Sequence, residues 1–188
     1  MNLAHDLSAL EETVKRCREL LPSVEKAGRE LADRVRKGGK VLTCGNGGSA
    51  ADAMHIAEEM TGRYRGNRQA LPALCLSSDA SALTCIANDW SFEDVFSRQV
   101  EAFGKSEDVL IVFSTSGNSP NIIKALETAK QRKLLTLGAL GKGGGVAKNL
   151  CDHAIVVPSD DTSRIQEIHG WLIHAWLECV EAIAVGKS

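Results

Sequence analysis

The stretch Val41-Leu42-Thr43-Cys44-Gly45-Asn46-Gly47-Gly48-Ser49-Ala50 passes from an apolar run into a glycine-rich loop, and a helical pattern follows over residues 48–61. The same transition recurs downstream. Val109–Phe113 is apolar, Ser114-Thr115-Ser116-Gly117-Asn118-Ser119 is small and polar, and Pro120 opens a helical pattern over 119–132. Lys40–Cys44, Ala73–Ser77, Val109–Phe113, Leu134–Leu137 and Ala154–Val157 are the expected strands. Further helices are expected over 92–103 and 163–185. Strands alternating with helices predict an α/β fold with a five-stranded parallel sheet covered on both faces. The strands are nearly uninterrupted apolar runs, as burial on both faces requires.

Upstream, Leu3, Leu7, Leu10 and Val14 repeat at helical spacing. Pro22 interrupts, and Ser23 is placed to cap a second helix carrying Val24, Ala27, Leu31 and Val35. This predicts an N-terminal helical hairpin over 1–37 on an α/β core over 38–188, in one domain. Residues 62–72 are polar and Arg-rich and read as a surface loop; Gly141–Gly145 reads as a flexible turn.

The 188 residues carry a formal charge of -2, with 44% hydrophobic and 24% charged residues. Nothing in that balance points to nucleic acid or to a charged partner. The six cysteines form no CxxC and several lie in apolar runs, so they read as reduced core residues of a cytoplasmic protein. No apolar leader or membrane-length run is present in the sequence.

In a parallel sheet, ligands bind beyond the carboxyl ends of the strands. Ser114–Ser119 sits there with four hydroxyl residues, and Ser119 is the expected N-cap of the helix opened by Pro120. Hydroxyls, free backbone N–H groups and a positive helix end suit a phosphate dianion. Gly45–Ala50 also fits G-x-G-x-x-A, but a dinucleotide site needs an acidic residue about 20 positions on. The nearest strand-end candidate is Asp79, which lies too far along.

His55 and Glu59 share a helix face, as do Gln166 and His174. Convergence of the two pairs would make a divalent-metal site with mixed N and O ligands suited to zinc, or a general acid and base. His5 and His153 read as surface residues, and Trp90, Trp171 and Trp176 as packing.

Together, Gly45–Ser49, Ser114–Ser119 and Arg164-Ile165-Gln166-Glu167 resemble the sugar isomerase (SIS) domain family. Gly45-Asn46-Gly47-Gly48-Ser49-Ala50-Ala51-Asp52-Ala53-Met54-His55, Thr61-Gly62-Arg63-Tyr64 and Asn88-Asp89 resemble its phosphoheptose isomerase branch over nearly the whole chain. The resemblance implies a flavodoxin-like three-layer sandwich and a homotetramer. It implies conversion of sedoheptulose 7-phosphate to D-glycero-D-manno-heptose 7-phosphate, a precursor of lipopolysaccharide or other glycoconjugate heptose. By the same resemblance, Asn46, Gly47, Gly48, Ser49, Asn88 and Asp89 contact substrate, and Ser114, Thr115, Ser116 and Ser119 hold its phosphate. His55, Glu59, Gln166 and His174 bind zinc, Glu59 and Gln166 also contacting substrate and Glu59 and His174 also transferring protons. Ser163 stands where some relatives carry an Asp that touches the sugar. SIS proteins that bind the replication initiator are similar over the whole chain, but are expected to lack the complete His/Glu/Gln/His set. A sugar-phosphate-sensing domain usually accompanies a DNA-binding module, for which this chain has no room.

Overall fold

The computed structural model describes residues 2–184. Strands β1 (Val41–Gly45), β2 (Ala73–Cys75), β3 (Val109–Ser114), β4 (Leu135–Leu140) and β5 (His153–Val156) form one parallel sheet in the order β2-β1-β3-β4-β5. Helices α1 (Leu3–Arg16), α2 (Leu21–Arg36), α3 (Gly48–Thr61), α4 (Ala80–Asp89), α5 (Ser97–Phe103), α6 (Pro120–Gln131) and α7 (Thr162–Ile183) complete the chain.

The pleat of the strands assigns the layers. Val41, Val109, Ile111 and Phe113 point into a core shared with α2, α3 and α7. Leu42, Cys44, Leu110 and Val112, the alternate positions, point into a second core with α4, α5 and α6. Successive side chains on a strand face opposite ways, so β1, β3, β4 and β5 feed both cores, whereas the edge strand β2 feeds only the first and leaves Leu74 exposed. The result is the three-layer sandwich. Trp176 is fully buried within the first core, where α7 packs along α2 over Val24, Ala27 and Leu31. Burial of one such Val or Leu side chain contributes about 1.5–3 kcal/mol.

All five expected strands are present, with β2 ending earlier and β4 running later than the apolar runs suggested. At the N-terminus Pro22 does not interrupt and Ser23 does not cap. A 3-10 turn over Cys17–Leu20 links the two helices, and Pro22 lies in the first turn of α2. There its missing N–H forgoes no intrahelical bond. The expected helix over 92–103 divides into a 3-10 turn, Phe92–Asp94, and α5. Helix α4 has no counterpart in the sequence reading. Asp79, considered there only as a ribose ligand, is its N-cap and accepts from the N–H groups of Ser81 and Ala82. Helix α7 ends at Ile183, and residue 185 of the expected helix lies outside the described residues.

His153 is not a free surface residue: its side chain is 11% exposed and contacts Glu30 at 2.9 Å. The 62–72 segment is irregular, as expected, but Arg68 is buried within it. Its guanidinium pairs with Glu181 at 2.7 Å and donates to the carbonyls of Glu59 and Met60. This ties the segment to the ends of α3 and α7.

Candidate active site

In the 2-1-3-4-5 order, the direction in which strands are added across the sheet reverses between β1 and β3, and the two outgoing loops part there to leave a crevice. Both polar loops singled out in the sequence flank it. A recess of about 70 Å³ lies at this point, lined by Asn46, Ser49, Phe113, Ser114, Thr115, Ser116 and Ser119.

The β3 loop is shaped by its own hydroxyls. Ser114 Oγ accepts from Gly117 N at 3.0 Å, and Ser116 Oγ accepts from Asn118 N at 3.2 Å. Ser119 occupies the N-cap position of α6, yet its side chain makes no capping bond, so the hydroxyl is available to the recess. No Lys or Arg lines the recess, leaving the hydroxyls and the positive end of α6 as its anion-attracting features. The 141–145 turn buttresses this loop. Gly117 has φ +63°, and a Cβ there would meet Gly144 O at 2.0 Å. Asn118 Oδ1 accepts from Val146 N, and Gly117 O accepts from Ala147 N, each at 3.0 Å.

The β1 loop is stitched to the β3 side by a pair of amides. Asn46 and Asn121 exchange two hydrogen bonds, each 2.9 Å. Asn121 is 2% exposed. The Asn46 amide is therefore engaged with Asn121 rather than free. Asn121 was missed in the sequence because a lone Asn in the first turn of a helix carries no distinguishing signal. Gly47 and Gly48 are exposed, whereas Ser49 is buried. Gln166, half-buried on α7, lies against this loop: a Cβ at Gly48 would come within 2.3 Å of its Nε2.

Convergence of the helix faces, open in the sequence, occurs where α3 packs on α7. The ligand-capable atoms of His55, Glu59 and His174 lie within 4.8 Å of one another. His55 Nε2 is 3.6 Å from Glu59 Oε1, and the His55 and His174 rings meet edge to face at 5.2 Å. Zinc donors sit about 2.0–2.2 Å from the ion, so neighbouring donors in a tetrahedron are about 3.3–3.6 Å apart. The cluster is near that spacing, and two imidazoles with one carboxylate form a donor set that fits a divalent metal with an open position. Gln166, the fourth expected ligand, starts two turns earlier on α7, by Gly48.

Behind the cluster, Asp52 of α3 faces His169 of α7, Oδ2 to Nδ1, at 3.9 Å. Burial pushes the Asp52 carboxyl up to about 6, with His55 opposing, and pushes the His169 imidazole down to about 4. His169 is fully buried, with Nε2 3.4 Å from Leu140 O. Asn88 and Asp89 are exposed at the end of α4; their side chains bond to each other and, through Asp89, to Cys85. Among the described residues the side-chain bonds of this pair do not reach the two loops. Ser163 is exposed in the first turn of α7, where its N–H donates to the Asp161 cap.

The model of the SIS domain matches residues 7–141 of this chain. Phosphoheptose isomerase 1 of Campylobacter jejuni is 55% identical over 158 residues, covering 84% of this chain and 85% of its own. Phosphoheptose isomerase of Helicobacter pylori strain P12 is 51% identical over 179 residues, 95% of this chain and 91% of its own. The solved structure of phosphoheptose isomerase GmhA from Neisseria gonorrhoeae superposes with a TM-score of 0.90 at 39% identity, covering 96% of this chain and 97% of that one. The crevice at the β1/β3 reversal, the hydroxyl loop beside it and these likenesses agree: the chain belongs to the SIS-domain family and, within it, to the phosphoheptose isomerases.

Proposed function

We propose that this chain isomerises sedoheptulose 7-phosphate to D-glycero-D-manno-heptose 7-phosphate through an enediol. The observation that carries the reading is that one helix, α3, contributes Ser49 to a hydroxyl-lined recess and His55 and Glu59 to a His/Glu/His cluster, in a chain 55% identical to a phosphoheptose isomerase. Ser114, Thr115, Ser116 and Ser119 take the phosphate. Asn46, Gly47, Gly48, Ser49 and Gln166 border the sugar from the β1 side, and Asn88 and Asp89 are assigned to its hydroxyls.

Ketose–aldose exchange moves one proton between adjacent carbons and another between their oxygens. Glu59 is the carboxylate in the cluster and takes the carbon-bound proton. Glu59 returns that proton to the neighbouring carbon, and His174 passes the other proton from one sugar oxygen to the next. His55, Glu59 and His174, with Gln166 nearby, would hold zinc, which when bound polarises the sugar oxygens and stabilises negative charge on them. Glu59 then has two demands on it, ligand and base, and a shift of its carboxylate between them during turnover reconciles the two.

We assign the whole of 1–188 to a single SIS domain, because the 1–37 helices share a core with strands of the 38–188 sheet. Leu3, Leu7, Val14 and Leu21 remain exposed on the N-terminal helices. A groove of about 380 Å³ opens between α1 and α7, lined in part by Leu10, Val14, Leu21 and Trp171. Such a face fits burial in a homotetramer, and light scattering should give four chains per particle; a fully active monomer would refute this. No helix among the described residues is long and apolar enough to cross a membrane, and a cytoplasmic location is the one that suits the free cysteines. The function is tested by incubating the purified protein with sedoheptulose 7-phosphate, before and after chelation and zinc addition. Aldose formation that falls on chelation and returns with zinc is expected; no aldose under any condition would contradict the assignment.

A further inference from the structure

Tyr64 lies outside the phosphate recess and outside the metal-donor set, yet it touches the cluster directly. Its ring stacks on the His174 imidazole, with centroids 5.7 Å apart and planes inclined by 19°. Its hydroxyl donates to Glu178 Oε1 at 3.0 Å. Glu178 stands one turn beyond His174 on α7, and the same oxygen is paired with the Arg65 guanidinium. That guanidinium in turn lies 4.8 Å from the centre of the Tyr64 ring. The Tyr64 ring is thus fixed at its edge by Glu178 and against its face by Arg65, and it is partly buried against the first apolar core.

His174 is otherwise exposed. An exposed imidazole samples several rotamers, and only those that turn a ring nitrogen toward His55 and Glu59 serve a metal or a proton transfer. The stacked Tyr64 ring restricts it, and the edge-on contact with His55 restricts it from a second direction. Side chains that orient a metal-binding histidine without touching the ion typically affect affinity or activity.

We propose that Tyr64 is a positioning residue that holds the His174 imidazole in its working orientation, and that the Arg65–Glu178 ion pair holds Tyr64. The proposal rests on the reading that His174 belongs to the reacting cluster. It predicts that the aromatic face, more than the hydroxyl, carries the effect.

The test compares the parent chain with Tyr64→Leu, Tyr64→Phe and Glu178→Gln. Four quantities are read: zinc affinity of the metal-free chain by competition with a chromophoric chelator, kcat, KM, and the His174 ring-proton shifts of the metal-free chain by NMR. In the parent, those protons should be shifted upfield by the stacked ring. Tyr64→Leu should move them downfield, weaken zinc binding by about tenfold to a hundredfold, and lower kcat while leaving KM within about twofold. Tyr64→Phe should restore the shift and most of the affinity, with Glu178→Gln intermediate. Unchanged ring shifts in Tyr64→Leu, or a KM rise at constant kcat, would overturn the proposal, the latter by making Tyr64 a sugar contact. A parent chain that neither binds zinc nor forms aldose would refute the functional reading instead, and the ring shifts would still decide whether Tyr64 orients His174.

Discussion

The two halves of the site are built differently. The half proposed to hold phosphate is a loop: Ser114–Ser119 follows a buried strand, takes its shape from internal hydrogen bonds, and is backed by Gly144 so closely that Gly117 cannot carry a side chain. The half proposed for proton transfer is made of side chains on two helices: His55 and Glu59 from α3, and His174 from α7, the last of these exposed. Backbone fixes the first half, so it is ready for ligand at little ordering cost. The second half depends on helix packing and on neighbours such as Tyr64, and its donors stand slightly wider than a bound ion requires. Binding and chemistry should therefore separate under mutation.

The largest effect is expected at the helix-borne half. Glu59→Gln keeps shape and removes the base, and should lower kcat by about 10²–10⁴-fold with little change in KM. His174→Gln should behave similarly. Equal losses in binding and turnover, measured by steady-state kinetics, would break the division. The loop half should show the reverse pattern. Replacing Ser116 and Ser119 together by Ala removes two hydroxyls facing the recess, and hydrogen bonds to charged groups contribute about 1.5–3 kcal/mol each. KM should rise by at least about tenfold at nearly constant kcat, with only a small fall in the unfolding midpoint from the lost Ser116–Asn118 bond. An unchanged KM would remove the phosphate from this loop.

The smallest effect concerns Asp52, on α3 facing the buried His169. Its folded carboxyl is pushed up to about 6 by burial, from an ordinary value of 3.8. Its contribution to stability is thus fully present below the unfolded value and is lost as pH rises through about 6. Asp52→Asn should therefore gain stability relative to the parent between pH 4 and 7.5, by about 1–3 kcal/mol. Denaturation at the two pH values measures it, and a constant difference would show that Asp52 is not held in its buried, unpaired setting.

The same contrast explains what could be read from sequence. The loop half is contiguous: strand, hydroxyls, cap and Pro120 stand in order along the chain, and local chemistry suffices to recognise them. The helix half needed the packing of α3 on α7, which periodicity places on a face but does not orient. So the convergence of His55, Glu59 and His174 waited for the structure, as did the Asn46–Asn121 amide pair across 75 residues. Helix α4 was missed for a different reason. Its exposed face of Ser81, Thr84 and Cys85 has low helix propensity, although Asp79 followed by Ala82, Leu83 and Ile86 held a cap and a helical period. Pro22 was read as a break because its position within the first turn could not be told from a position just before it.

The central claim is that Glu59 moves a carbon-bound proton of a sugar phosphate held by the serine loop. Isomerisation of sedoheptulose 7-phosphate in deuterated water, with the product analysed by NMR, tests it most directly. The account predicts aldose carrying deuterium at C2 from the parent chain, and loss of both aldose formation and deuterium uptake in Glu59→Gln. Aldose free of deuterium, or unimpaired formation of deuterated aldose by Glu59→Gln, would contradict it.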